Sequence, residues 1–267
     1  MPAVRNIARE RLQRGELALG AGVRFARSHE IAKLMQSAGY DFLFIDLEHG
    51  ALSLDLAAQI SVAALDAGIT PIPRVPSGEY AMATRLLDNG ALGIVFPHVD
   101  GPQEASAIVD RLKFPPQGHR SMAGNAPQLG YAAVKPAEYA SSLNAAGLIV
   151  AMIETPDAVE NADAIAAVEG IDVLLVGTND LCAEMGIHGD FGNRQIAEAY
   201  RRVVAACGKH GKWAGMGGVY DETIARRYIE LGARFILSGS DLTFMLGAAR
   251  SRADYLRSIE TKAALPV

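Results

Sequence analysis

The chain has 267 residues, half of them hydrophobic and 21% charged, which fits one alternating α/β domain over residues 1–267 better than two small ones. A formal net charge of −5 without a basic cluster lacks the Lys/Arg patch that binds phosphate backbones, and no apolar run reaches the ~18 residues of a membrane span. Neither nucleic acid nor a membrane is therefore an expected partner; with only Cys182 and Cys207 and no charged-apolar-small leader, a small-molecule ligand and a reducing cytoplasm are.

In chain order, short apolar runs alternate with longer segments of helical period. The runs are LALGAGV, DFLFIDLEH, TPIPRV, ALGIVFPHV, GLIVAMIE, IDVLLVGTND, KWAGMGG and ARFILSGSD. Eight strands joined by helical crossovers predict a single-domain (β/α)8 TIM barrel. Ala67-Gly68, Asn89-Gly90 and Leu231-Gly232 read as helix stops before the next strand, and Thr155 ahead of Pro156 reads as an N-cap followed by a proline at the first helical position. Between Lys113 and Gly147 the stretch FPPQGHRSMAGNAPQLGY is too long and too rich in Gly and Pro for a plain turn, the mark of a functional loop. Beyond about Asp241 the chain reads as a final helix, LTFMLGAARSRADYLRSI, whose broad apolar spacing predicts packing on a neighbour.

In such a barrel the reactive groups stand at the carboxyl ends of the strands. That rule selects Asp46, Glu48 and His49 after the second strand, Arg74 after the third, His98 after the fourth, Glu154 after the fifth, and Asn179 and Asp180 after the sixth. Singly, Glu154 is equally an acid near a helix N-terminus and Asp180 an N-cap. Together they form an oxygen-rich half-shell suited to Mg2+ or Mn2+, with positions open to a chelating substrate. The GTNDL turn, Gly177 to Leu181, also offers backbone N–H groups to a substrate carboxylate.

The other candidates keep two readings. By strand alternation Asp46 and Glu48 share one face and His49 the other, so spacing alone makes no dyad. Arg74 is either half of a structural ion pair or the donor to a developing enolate oxygen. Asp88 reads first as an exposed helix residue, and Arg120 as a loop-surface residue that is also a candidate for a substrate's distal carboxylate. No predicted strand ends in a lysine, and Lys212 begins the seventh, so a Schiff base has no amine at the mouth.

Taken in order, DLEHG, PIPRVP, LLDNGALGIVFPHV, FPPQGHR, IET and GTNDL resemble the metal-dependent HpcH/HpaI aldolases, which cleave 4-hydroxy-2-oxoheptanedioate and related 2-oxo acids, over nearly the full length. The resemblance implies Glu154 and Asp180 as ligands of a divalent ion (Mg2+, Mn2+ or Co2+), Arg74 as the enolate-stabilising cation, and His49 as acid/base, oriented by Asp46 or Asp88. It implies reversible cleavage to pyruvate, or a close 2-oxo acid, and an aldehyde through a metal-stabilised enolate. It also implies a homohexamer in which the C-terminal helix is exchanged between subunits. Two departures stand out: Thr178 occupies a position more often held by proline, and the loop reads RSMAGN where a glycine-rich sequence is usual. Three other readings stay open: an oxaloacetate decarboxylase or macrophomate-synthase-like enzyme, a phosphate-sugar barrel using the GMGG and SGSD turns, and a barrel that only binds a keto acid.

Overall fold

The computed structural model describes residues 4–260. Eight parallel strands, β1 Ala18–Val23, β2 Phe42–Asp46, β3 Thr70–Arg74, β4 Gly93–Phe96, β5 Leu148–Ile153, β6 Val173–Gly177, β7 Trp213–Gly217 and β8 Phe235–Ser240, close in sequence order, β8 returning to β1. Each lies within one of the eight predicted runs. The runs extend further because they include the first residues past the ladder: β2 ends at Asp46, although Leu47 N–H still bonds Arg74 C=O at 3.0 Å. In β2 to β6 every strand residue is buried, as expected of strands with side chains on one face in the barrel and on the other under helices.

The helices are α1 Ile7–Gln13, α2 Ile31–Ser37, α3 Leu54–Ala67, α4 Tyr80–Asp88, α5 Pro102–Leu112, α6 Pro136–Ala146, α7 Pro156–Glu160, α8 Ala162–Ala166, α9 Thr178–Glu184, α10 Arg194–His210, α11 Glu222–Leu231 and α12 Asp241–Glu260. The predicted punctuation is in place: Thr155 Oγ1 accepts from Ala158 N–H at 3.0 Å, and Gly68 ends α3 in the left-handed region at φ 75°. Phe42, Phe44, Ile72, Val150, Leu175 and Phe235 fill the barrel, with Phe42 and Phe235 stacked at 4.1 Å. A larger shell of Ile, Leu, Val and Ala joins sheet to helices. Helix α1, too short for a periodicity signal, adds Ala8 and Leu12 to the interior cluster and closes its amino-terminal end.

The long Gly/Pro segment does not lie at the carboxyl ends of this chain's strands. Phe114 N–H bonds Asn144 Oδ1 at 2.9 Å, Gln128 Nε2 donates to Leu87 and Ala91 carbonyls, and Phe114, Leu129 and Tyr139 make a small separate core. These contacts tie it to the residues that enter β4 and β5, at the amino-terminal rim.

Candidate functional site

At the carboxyl ends of the strands a cavity of about 340 Å3, near the lower end of the ~300–1,000 Å3 usual for small ligands, is lined by Asp46, His49, Arg74 and Gly177 to Asp180, with Arg24, Tyr220 and Ser240 on its far side. No lysine is among its lining residues.

Arg74 and Asp46 sit opposite each other in the β2–β3 register, and this sets their pairing. Arg74 Nε and Nη2 donate to Asp46 Oδ1 and Oδ2 at 3.1 and 2.8 Å, and Nη1 lies 2.7 Å from Glu48 Oε2. Both partners of the fork are buried, Asp46 at 1% exposure and Arg74 at 7%. Burial alone would push the Asp46 carboxyl up, but its bonds and charge contact with Arg74, the His49 N–H and the charge of Arg24 outweigh it and hold it below the ordinary carboxylate range. The Phe44 ring lies 5.2 Å from the Arg74 guanidinium carbon, a cation–π contact that helps hold the fork.

The end of β2 resolves the question of His49. Asp46 Oδ1 accepts from both Glu48 N–H and His49 N–H at 3.2 Å, so the chain turns at the strand end and alternation ceases to apply. His49 lines the cavity half exposed, and the carboxylate nearest its ring is that of Glu48, Nε2 to Oε2 3.9 Å. Asp46 thus fixes the His49 backbone, while Glu48, absent from the sequence-derived role assignment, faces its ring.

On the β5–β6 side Glu154 is 1% exposed. Its Oε2 accepts from His98 N–H at 2.8 Å, and its Oε1 is buried with no hydrogen-bond partner. Burial, with the nearby charge of Asp180, pushes its carboxyl up to about 7 against the opposing His98 N–H. A Cβ on Gly177 would stand 2.5 Å from Glu154 Oε1, so the glycine at the end of β6 makes the room this carboxylate occupies. An unpaired buried carboxylate oxygen near the charge of Asp180 is a donor set that a hard divalent cation would fit, with the remaining positions open to water and substrate. Among the described residues no group of three or more His, Cys, Asp or Glu is placed to hold a metal ion. His98, held at φ 52° with Nδ1 3.4 Å from Glu154 Oε2, was legible as a strand-end residue, but its contact with Glu154 depends on the β4–β5 pairing.

Two sequence candidates are not brought to this mouth. Asp88 ends α4, and Arg120 Nη2 bonds Asp88 Oδ1 at 2.6 Å at the amino-terminal rim, with the Arg120 guanidinium 4.5 Å from the Phe114 ring centre. Within one chain Asp88 does not orient His49 and Arg120 does not reach the cavity, because each crossover helix carries the chain from the mouth to the opposite end. Thr178 borders the cavity only through its backbone side: it is fully buried, and its Oγ1 pairs with Tyr200 Oη at 2.8 Å. The SGSD turn is also committed. Asp241 accepts from the N–H groups of Arg24, Phe25 and Ala26 at 3.1, 3.0 and 2.6 Å, so a carboxylate already fills the donor nest that a phosphate would need.

The model of the HpcH/HpaI aldolase/citrate lyase family matches residues 25–248. The chain is 42% identical over 266 residues to the 4-hydroxy-4-methyl-2-oxoglutarate aldolase of Hapsidospora irregularis, covering 97% of this chain and 98% of that one. It is 32% identical over 251 residues to the hydroxypyruvate/pyruvate aldolase of Roseovarius nubinhibens, covering 94% and 96%. The crystal structure of an HpcH/HpaI aldolase from Desulfitobacterium hafniense superposes with a TM-score of 0.86 at 27% identity, covering 98% of each chain.

Proposed function

Since the chain belongs to the HpcH/HpaI aldolase/citrate lyase family, we propose that its mouth cleaves a 4-hydroxy-2-oxo acid to pyruvate, or a close 2-oxo acid, and a second carbonyl compound. The protein is a carbon–carbon lyase of the aldolase type, like the relatives it matches over nearly full length. The observation that supports the site assignment is the buried, half-satisfied Glu154 carboxylate within reach of the Asp180 charge, Asp180 itself lining one cavity with the Arg74 fork.

Glu154 and Asp180 would hold a divalent ion, Mg2+, Mn2+ or Co2+, which when bound supplies Lewis-acid polarisation of a 2-oxo group. Backbone N–H groups of the Gly177–Asp180 turn receive the substrate's 1-carboxylate, and Asn179 stands beside it. As the C3–C4 bond breaks, its electron pair moves toward the C2 oxygen. The Arg74 guanidinium, held by Asp46 and Glu48, meets the negative charge that develops there. The His49 imidazole takes the proton from the 4-hydroxyl oxygen in cleavage and returns it in addition, positioned by Asp46 through its backbone and by Glu48 beside its ring. Protonation of C3 completes pyruvate. The same reading makes the protein a cytoplasmic homohexamer: its two cysteines are free and buried, and α12 leaves Met245, Leu246, Tyr255, Leu256 and Ile259 exposed in the single chain.

Pyruvate release from a panel of 4-hydroxy-2-oxo acids tests the reading. EDTA should abolish it, added Mg2+, Mn2+ or Co2+ should restore it, and borohydride with pyruvate should leave no lysine adduct. Full activity in rigorously metal-free protein, or a reduced pyruvyl-lysine in the mass spectrum, would overturn it.

A further inference from the structure

On the far side of the mouth stands a second guanidinium that the mechanism above does not use. Arg24 follows β1, which lies across the eight-stranded barrel from β5 and Glu154. Its Nε is 3.3 Å from Asp46 Oδ2, the oxygen that Arg74 already binds at 2.8 Å. Both Asp46 oxygens already accept from Arg74, and Arg24 adds only its charge and one nitrogen to this contact. The terminal nitrogens of Arg24 find no acceptor among the described residues, and its side chain is 45% exposed along the cavity wall.

Although the side chain is open, its base is rigid. Asp241 accepts the N–H groups of residues 24 to 26, and Arg27 Nη1 donates to the carbonyls of Arg24 and Phe25 at 3.2 and 2.8 Å. A planar fork with free donors on an immobilised turn is suited to one ligand chemistry, a carboxylate received on two parallel N–H bonds. Tyr220 lines the same wall, under the combined positive charge of Arg24 and Arg74.

Arg24 Nε and Arg74 Nη2 meet at one oxygen, Asp46 Oδ2, so the two guanidiniums are neighbours in the wall of the same cavity. A substrate anchored at the β5–β6 side with its C2 oxygen at Arg74 extends its C4 end toward Arg24. The geometry points to Arg24 as the anchor for a carboxylate carried on the carbon that bears the 4-hydroxyl, making a dicarboxylic 4-hydroxy-2-oxo acid the preferred substrate and a 2-oxo acid the second product. The bookkeeping of the cleavage is unchanged: C3–C4 breaks, the 4-hydroxyl gives up its proton, and C4 leaves as the carbonyl carbon of that 2-oxo acid. The assignment rests on the aldolase reading given above.

Two probes differ at C4: 4-hydroxy-4-methyl-2-oxoglutarate, with the carboxylate, and 4-hydroxy-2-oxopentanoate, without it. With Mn2+-loaded enzyme, kcat/KM for pyruvate release should favour the dicarboxylate. Arg24→Leu should lower kcat/KM for it about 50-fold more than for the monocarboxylate, mainly through KM, with Arg24→Lys between the two, since it keeps the charge and loses the fork. Equal losses on both probes, or no preference in the unaltered enzyme, would overturn the Arg24 assignment while leaving the aldolase intact. Pyruvate from neither probe would remove the aldolase reading and the assignment with it.

Discussion

At the scale of single residues, the acids of the mouth differ in how they are compensated. Arg74 pays for its burial with two acids, whereas Glu154 keeps an oxygen without a partner. The space for that oxygen exists because residue 177 has no Cβ. Gly177→Ala should leave the circular dichroism of the barrel intact, yet weaken Mn2+ binding roughly tenfold by displacing the Glu154 carboxylate, as losses of supporting groups around metal sites do; unchanged affinity by calorimetry would show that the space at residue 177 does not set the carboxylate's place. Asp46 carries a pH signature. Its folded pKa is lowered, so the stability it contributes is present above its unfolded value of about 4 and is lost as pH falls through the lower folded value. Urea midpoints should thus hold between pH 7 and 5 as far as this pair is concerned and fall below about pH 4. Asp46→Asn should remove that acid limb and, by leaving Arg74 short of a buried partner, cost about 3 kcal/mol at pH 7. The strand-end rule found Asp46, Glu154 and Arg74 from sequence. It assigned no role to Glu48, because its place beside the His49 ring arises only when Asp46 gathers both following N–H groups and turns the chain.

At the scale of elements, strands were legible because their runs are apolar on both faces, and caps because Thr155 and Gly68 act within a few residues of themselves. The β1 exit and the start of α12 were not, since they lie 217 residues apart and meet through the Asp241 carboxylate. That contact holds three N–H groups and so pins the turn bearing Arg24 to the closing helix. Asp241→Asn, with one acceptor oxygen in place of two, should lower unfolding stability by about 2 kcal/mol and speed hydrogen exchange at residues 24 to 26. Retained protection of those amides would mean that the strand ladder, and not the cap, fixes the turn. The Lys113–Gly147 segment teaches the converse lesson: its composition marked it as a loop of consequence, but composition carries no direction, and the path of α5 delivers it to the amino-terminal rim.

For the whole molecule, α12 is the part that a single chain leaves unfinished. It packs on β1 and β8 at its start, then runs out with Tyr255, Leu256 and Ile259 each about half exposed. Light scattering at micromolar concentration should return a six-chain mass, and Leu256→Asp with Ile259→Asp should shift it toward smaller species; a monomeric mass for the unaltered protein would refute the assembly. The sequence by itself determined the barrel, its eight strands and the rank of polar residues at their carboxyl ends, because these follow from period, burial and local capping. Only the tertiary structure decided which of those residues meet. Asp46 and Arg74 pair through a register between strands, Glu154 meets His98 across the β4–β5 pairing, and Asp88 and Arg120 pair at the far rim, since strand closure and helix direction are properties of the assembled sheet and leave no local trace in the chain.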